Sequence, residues 1–304
     1  MTTRNYLSLV LGVLRHARHG RGTTQEYIKN WRSIWEINEP AYESKGSSLS
    51  DDGHYTKLIE SAISDKQVFE RFRSNSAYLA ILDHVSFFQG EQYMDIVGKD
   101  EIALLANKDW FKSFSQIGSP LTYSYDNINF PISPTLLRYV KVAKDLPRLF
   151  GDTSKLCIGE IGIGYGGQTL VLHELDYCKK VVWFDLPEVM ELANKFLFAC
   201  GSDLEPEAID GRNPSANDIE LLISNYAFSE LNPRIQAQYL ENVVLPTARG
   251  YVTWNTLSQK LLGGISIEEF SKLLPGSEIF PENPLTYPGN AIVVWGHNAG
   301  TSPF

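Results

Sequence analysis

Residues 160–167 read Glu160-Ile161-Gly162-Ile163-Gly164-Tyr165-Gly166-Gly167, and they close the apolar run Leu156–Ile161. A run of this kind, ending in clustered glycines and passing into helical spacing at Leu170 and Leu175, predicts a strand that hands over to a helix. Glycines at such a turn allow positive φ and close approach of a ligand to the backbone. The helix behind them points free N–H groups at the same spot. In an open α/β sheet this crevice, at the carboxyl ends of the strands, is where nucleotides bind.

Downstream the same alternation continues. Val181–Phe184 is a second strand candidate ending on Asp185, and Pro187 then opens a helix with the apolar face Val189, Leu192, Ala193, Phe196 and Leu197. Ile219–Ser224 is another buried strand, followed by a helix capped by Asn232 with Pro233 first inside, carrying Ile235, Tyr239 and Val243. Tyr251–Trp254 and Ala291–Trp295 complete the strands. The alternation predicts an α/β fold, a mostly parallel sheet with helices on both faces.

Upstream the pattern is mainly helical. Tyr78, Ile81, Val85 and Phe88 recur at helical spacing, with Leu58, Ile59 and Ile63 doing so less strongly. Gly20–Thr24 and Lys45–Gly53 read as loops. A turn-prone stretch from Gly118-Ser119-Pro120 to Pro131 marks a change of character, and Ser133-Pro134 reads as the cap and first residue of a helix carrying Leu136, Leu137, Tyr139 and Val140. The expected division is therefore 1–132, mainly helical, and 133–304, the sheet domain.

The glycine spacing alone leaves the ligand open, because Gly162, Gly164 and Gly167 also satisfy the dinucleotide fingerprint. Glu160, two residues before the first glycine, would repel a pyrophosphate. It suits S-adenosylmethionine, which has no phosphates and carries a sulfonium and an ammonium. Asp185 is placed to accept both ribose hydroxyls, a device that NAD enzymes share. S-adenosylmethionine is the favoured cofactor, with NAD and a purely structural turn as the alternatives.

Composition narrows the partners. A net charge of −9 argues against a nucleic-acid substrate, and the one basic cluster, Arg15, His16, Arg18, His19 and Arg21, reads as a solvated helix face. Cys157, Cys178 and Cys200 lack C-x-x-C spacing and read as reduced thiols in a cytoplasmic protein. The early apolar stretch Tyr6–Leu14 is too short to span a bilayer, so no membrane partner is expected. The histidines are scattered without metal-ligand spacing, Asp51, Asp52 and His54 forming the only local cluster, and no metal is expected.

The segments EIGIGYGGQ (Glu160–Gln168), FDLPEV (Phe184–Val189) and SNYAFSEL (Ser224–Leu231) resemble motifs of the bacterial sugar O-methyltransferase family, as do IGSP (Ile117–Pro120) and SPTLLRY (Ser133–Tyr139) in the approach to the glycine turn. FDLPEV is also similar to the second-strand motif of plant-type small-molecule O-methyltransferases, whose aspartate holds the ribose. The resemblance covers roughly residues 75–296. Ser119 departs from it, standing where an Asn is expected in the G-x-P turn. It implies a Rossmann-like class I methyltransferase sheet of seven strands with the last antiparallel, and a saccharide or glycosylated metabolite as acceptor.

On this reading Glu160, Gly162, Gly164, Tyr165, Gly166, Asp185, Leu186, Asn225 and Tyr226 line the cofactor, with Tyr165 covering its methionine end. A hydroxyl is a poor nucleophile, so a general base is expected. Glu230 is the first candidate, with helix capping as its competing role, and Ser229 lies beside it. His84 is the second, as a helical histidine oriented by Asp83 or another acid. Tyr287 and His297, beside the last strand, border the acceptor site. The N-terminal helices cover the acceptor site, form a homodimer, or both. A non-sugar acceptor, a nucleotide-binding oxidoreductase and a non-catalytic cofactor-binding protein are the competing functions.

Overall fold

The computed structural model describes residues 54–215, 218–257 and 262–304. The chain enters through short helices: α1 (His54–Ser64), α2 (Lys66–Phe69), α3 (Ser76–Ile81), α4 (Phe87–Val97), α5 (Lys99–Leu105) and α6 (Asp109–Phe114). The long helix α7 (Pro134–Phe150) leads to β1 (Cys157–Ile161), α8 (Gly167–Glu174), β2 (Lys180–Asp185), α9 (Pro187–Ala199), β3 (Glu207–Asp210) and β4 (Leu221–Asn225). There follow α10 (Pro233–Tyr239), β5 (Gly250–Trp254), α11 (Ile267–Lys272), β6 (Glu278–Pro281) and β7 (Ala291–Trp295).

The sheet has seven strands in the order β3-β2-β1-β4-β5-β7-β6, parallel except for β7, which runs antiparallel to both neighbours. This is the arrangement the resemblance implies. The strand order reverses between β1 and β4, so the carboxyl ends of β1, β2 and β4 open onto one crevice.

The strands are apolar on both faces because helices cover both. Alternate residues separate cleanly: Val181 and Trp183 belong to one core, Val182 and Phe184 to the other. The first core joins one face of the sheet to α7, α8, α9 and the N-terminal helices, from Tyr55 through to Val294. The second lies under α10 and α11. Lys195 of α9 donates to the carbonyls of Ala62 (3.0 Å) and Ile63 (2.8 Å), so a cation closes the carboxyl end of α1.

Three features depart from the expectations. β3 and β6 have no apolar run to announce them, since both are sheet edges with largely exposed side chains. The helical spacing from Tyr78 to Phe88 spans two helices rather than one, because Ser86 caps α4 in a capping box with Gln89. Ser133 occupies the cap position of α7, but its Oγ accepts from Arg73 Nη2 (3.2 Å) instead of capping the helix.

Ser119, the departure from the family pattern, has φ of 52° and anchors its turn by donating from Oγ to the Glu70 carbonyl (2.7 Å). Among the described residues no helix is long and apolar enough to cross a membrane. None of them form a group of three or more metal-ligating side chains. Tyr6–Leu14, the basic cluster, both loops Gly20–Thr24 and Lys45–Gly53, and Asp51 and Asp52 lie outside the described residues.

Candidate active site

A cavity of about 340 Å³ opens at the carboxyl ends of β1, β2 and β4. Its floor is the glycine turn. Gly162, Gly164 and Gly166 have φ of 75°, 56° and 78°, values at which a side chain is strained. Gly162 is also required by space: a Cβ there would sit 2.0 Å from the Cβ of Ala227.

Asp185 stands at the end of β2. Its Oδ2 accepts the Ile163 N–H and its Oδ1 the Leu186 N–H, both at 2.8 Å, so the carboxylate stitches the end of β2 to the glycine turn. Burial pushes its pKa up to about 6, against the lowering pull of the Leu186, Ile163 and Gly164 amides. Each oxygen keeps a second lone pair for a ligand hydroxyl. Beyond it the cavity is walled by Leu186, Gly211, Ile235 and Tyr239.

Glu160, on β1, is buried and faces the same cavity. Its Oε2 accepts from Thr169 Oγ1 (2.5 Å), which in turn accepts from Trp183 Nε1 (2.8 Å). No described cation pairs with it. Burial therefore raises its pKa to about 8, with Thr169 opposing the shift and Asp185 adding to it.

Asn225 and Tyr226 follow β4 into the cavity. Asn225 Nδ2 donates to Gln168 Oε1 (3.2 Å), whose Nε2 is fixed on the Tyr139 carbonyl (3.1 Å). Tyr226 holds φ of 69°, a strained value for a bulky residue and one that accumulates at functional sites. Its amide is tied to the Thr253 carbonyl, and its hydroxyl donates to Glu282. Ser229 Oγ accepts the Asn255 amide (2.9 Å) and donates to the Tyr226 carbonyl (2.7 Å), so it braces this turn.

Glu230 and His84 both line the cavity. Glu230 does not cap the following helix, a role filled by the Asn232 side chain accepting from the Ile235 N–H. Its Oε1 accepts from Asn255 Nδ2 (2.9 Å). Burial lifts its pKa above the usual carboxylate range, with Asn255 and Arg138 opposing. His84 lies between α3 and α4, not within a helix. Burial, reinforced by the Arg138 charge, lowers its pKa to about 4, and its Nδ1 is buried without a hydrogen bond. Burial and the Arg138 charge thus hold it neutral, as a hydrogen-bonding group rather than a base.

No family model matches the chain, and no curated protein does either. Solved structures resemble it at low identity. A mutant of MtNAS in complex with S-adenosylmethionine is 17% identical, covers 97% of this chain and 98% of its own, and gives a TM-score of 0.44. The mitomycin 7-O-methyltransferase MmcR is 16% identical, over 79% of this chain and 67% of its own, with a TM-score of 0.42. An rRNA methylase from Streptococcus thermophilus is 16% identical, over 52% of this chain and 92% of its own, with a TM-score of 0.37. Likenesses of this size carry no function across to this chain.

The structure corrects four expectations. Tyr165 is fully buried away from the cavity: its ring packs 4.8 Å from that of Phe196 and its hydroxyl accepts from Arg73 Nη2 (3.0 Å). Gly166 does not line the cavity either, but forms the left-handed cap of α8. Asp83 does not orient His84, since both its oxygens are taken by Arg73, at 2.8 Å and 3.1 Å. His297 faces Glu278 at 3.2 Å, away from the cavity, whereas Tyr287 does line it. Arg138, Tyr55, Gly211, Tyr239 and Asn255 also line the cavity, beyond the residues expected from the sequence. Arg138 carried a signal, a charge set between Leu137 and Tyr139 on an apolar helix face.

Proposed function

We propose that the chain is an S-adenosylmethionine-dependent O-methyltransferase whose acceptor is a hydroxyl of a sugar or glycosylated metabolite. The supporting observation is Glu160, a buried carboxylate with no described cation beside it, facing a cavity floored by a glycine turn and bordered by a second carboxylate. A cationic ligand favours the ionised form of Glu160 that burial alone disfavours, whereas a pyrophosphate offers that form no compensation. The ammonium of the cofactor falls to Glu160, its ribose hydroxyls to Asp185, and its base to the wall of Gly211, Ile235 and Tyr239.

The cofactor, when bound, supplies an electrophilic methyl group for in-line displacement. The chain's own residues hold the acceptor oxygen in line and exclude water. Glu230, steadied by Asn255 and made more basic than an ordinary carboxylate by burial, takes the acceptor's proton. His84, neutral, accepts a hydrogen bond at Nδ1 and orients the hydroxyl. The sugar half of this reading rests on the sequence resemblance.

Thermal-shift measurement with S-adenosylhomocysteine, S-adenosylmethionine and NAD(H) tests the cofactor. Stabilisation by the first two alone is expected. Stabilisation by NAD(H) alone would overturn the methyltransferase reading.

A further inference from the structure

Arg138, on α7, is a buried cation that forms no ion pair among the described residues, although its charge reaches Glu230. It is 5% exposed and lines the cavity, with Nη2 donating to the Leu82 carbonyl at 3.1 Å and the Tyr139 hydroxyl close enough to interact with the guanidinium. Its Nε and Nη1 are buried with no hydrogen bond. The carboxylates on this side of the molecule are committed elsewhere: Asp83 to Arg73, Asp145 to Lys141, Glu230 to Asn255, and Glu282 to Tyr226 and Thr286. The rings of Tyr139 and Tyr226, 5.4 and 5.6 Å from the guanidinium carbon, are its principal compensation. A guanidinium held dry with two idle donors is unfavourable unless an anion completes it.

We propose that the acceptor carries a carboxylate and that Arg138 receives it, which makes the preferred substrates hydroxy acids or uronate-type sugars. The inference rests on the methyltransferase reading and refines its substrate class. The bond to Leu82 places the guanidinium beside the turn that carries His84. Its charge reinforces the lowering of the His84 pKa and opposes the raising of the Glu230 pKa. The positive charge therefore serves the part of the cavity that holds the candidates for chemistry. It also provides a discrimination that Glu230 alone cannot, since a carboxylate selects against anionic acceptors.

Calorimetry on protein saturated with S-adenosylhomocysteine tests this with two probe pairs, D-glucuronate against D-glucose and salicylate against salicylamide. In at least one pair the charged member is expected to bind about tenfold tighter, the lower end of what a charged hydrogen bond contributes. Arg138→Gln should abolish the preference, and Arg138→Lys should retain part of it. Both should leave S-adenosylhomocysteine affinity within about threefold of wild type. Absence of a preference in both pairs would overturn the proposal. So would an Arg138→Gln variant that loses affinity for S-adenosylhomocysteine but not for 5′-methylthioadenosine, because the guanidinium would then hold the cofactor's own carboxylate. A wild-type protein that binds no S-adenosylhomocysteine defeats the cofactor reading instead, and the same pairs titrated alone still decide the role of Arg138.

Discussion

Two buried carboxylates, Glu160 and Glu230, line one cavity, burial raises the pKa of both, and the proposed function gives them different work. Glu160, with a pKa near 8, is mostly protonated at pH 7 in the free protein. An ammonium placed against it favours the ionised form, so binding of S-adenosylhomocysteine should release close to one proton at pH 7. Calorimetry in buffers of different ionisation enthalpy reads this directly, and Glu160→Gln should abolish it while weakening binding by about 1.5–3 kcal/mol. The same shift acts on folding. Native Glu160 holds its proton to higher pH than the unfolded chain does, so its contribution is present below the ordinary value of 4.5 and is lost as pH rises through about 8. Glu230→Gln should slow methyl transfer with S-adenosylhomocysteine affinity unchanged, and wild-type turnover in that variant would remove Glu230 as the base. Glu160 and Asp185 stood out in the sequence because each comes at or near the end of a strand beside the glycine turn, and Glu230 because it follows β4; all three line the cavity. Tyr165 was misread because a tyrosine inside a glycine turn points equally well to a ligand or to the core, and only the surrounding rings of Phe72, Phe114, Tyr139 and Phe196 decide it.

The glycine turn works as an element because it nests against the turn after β4, Ala227–Glu230. Gly162→Ala should therefore cost about 2–5 kcal/mol, combining backbone strain with overpacking against Ala227. Gly276 is the internal control: its φ is 72°, but a Cβ there meets nothing within 4 Å, so Gly276→Ala should cost only about 1–2 kcal/mol of handedness penalty. Adding Ala227→Gly to Gly162→Ala should recover the packing part and leave the strain. Denaturant unfolding of wild type, Gly162→Ala, Ala227→Gly and the double variant measures the coupling, and strict additivity would show that the two turns do not press on each other. Strands buried on both faces were readable from their apolar runs, as β1, β2, β4, β5 and β7 show. β3 and β6 were not, since an edge strand of four residues is defined by its neighbour's hydrogen bonds rather than by its own side chains. The break between α3 and α4 was hidden for a related reason. The apolar spacing ran on across it, while the Ser86–Gln89 capping box that creates it is a polar signal.

At the scale of the whole chain, the change in sequence character near residue 133 does not coincide with a break in the core. Tyr55, Phe72 and Tyr78 share one apolar cluster with Ile158, Trp183 and Val294. The charged links cross the same line: Arg73 bonds Tyr165 and Ser133, and Lys195 closes the end of α1. Tyr55 also reaches the cavity itself, so the N-terminal helices complete the site that the sheet begins. If the two regions were independent, each would expose the large aromatic surface it now buries against the other, a cost that scales with apolar area. Scanning calorimetry is therefore expected to show one cooperative transition, with calorimetric and van't Hoff enthalpies in agreement. S-adenosylhomocysteine at about 100 times its Kd should raise that transition as a unit, through roughly 2.7 kcal/mol of linkage. Two transitions, of which the ligand moves only the later, would instead make residues 133–304 a domain that binds its cofactor alone and reduce the N-terminal helices to a separable cover.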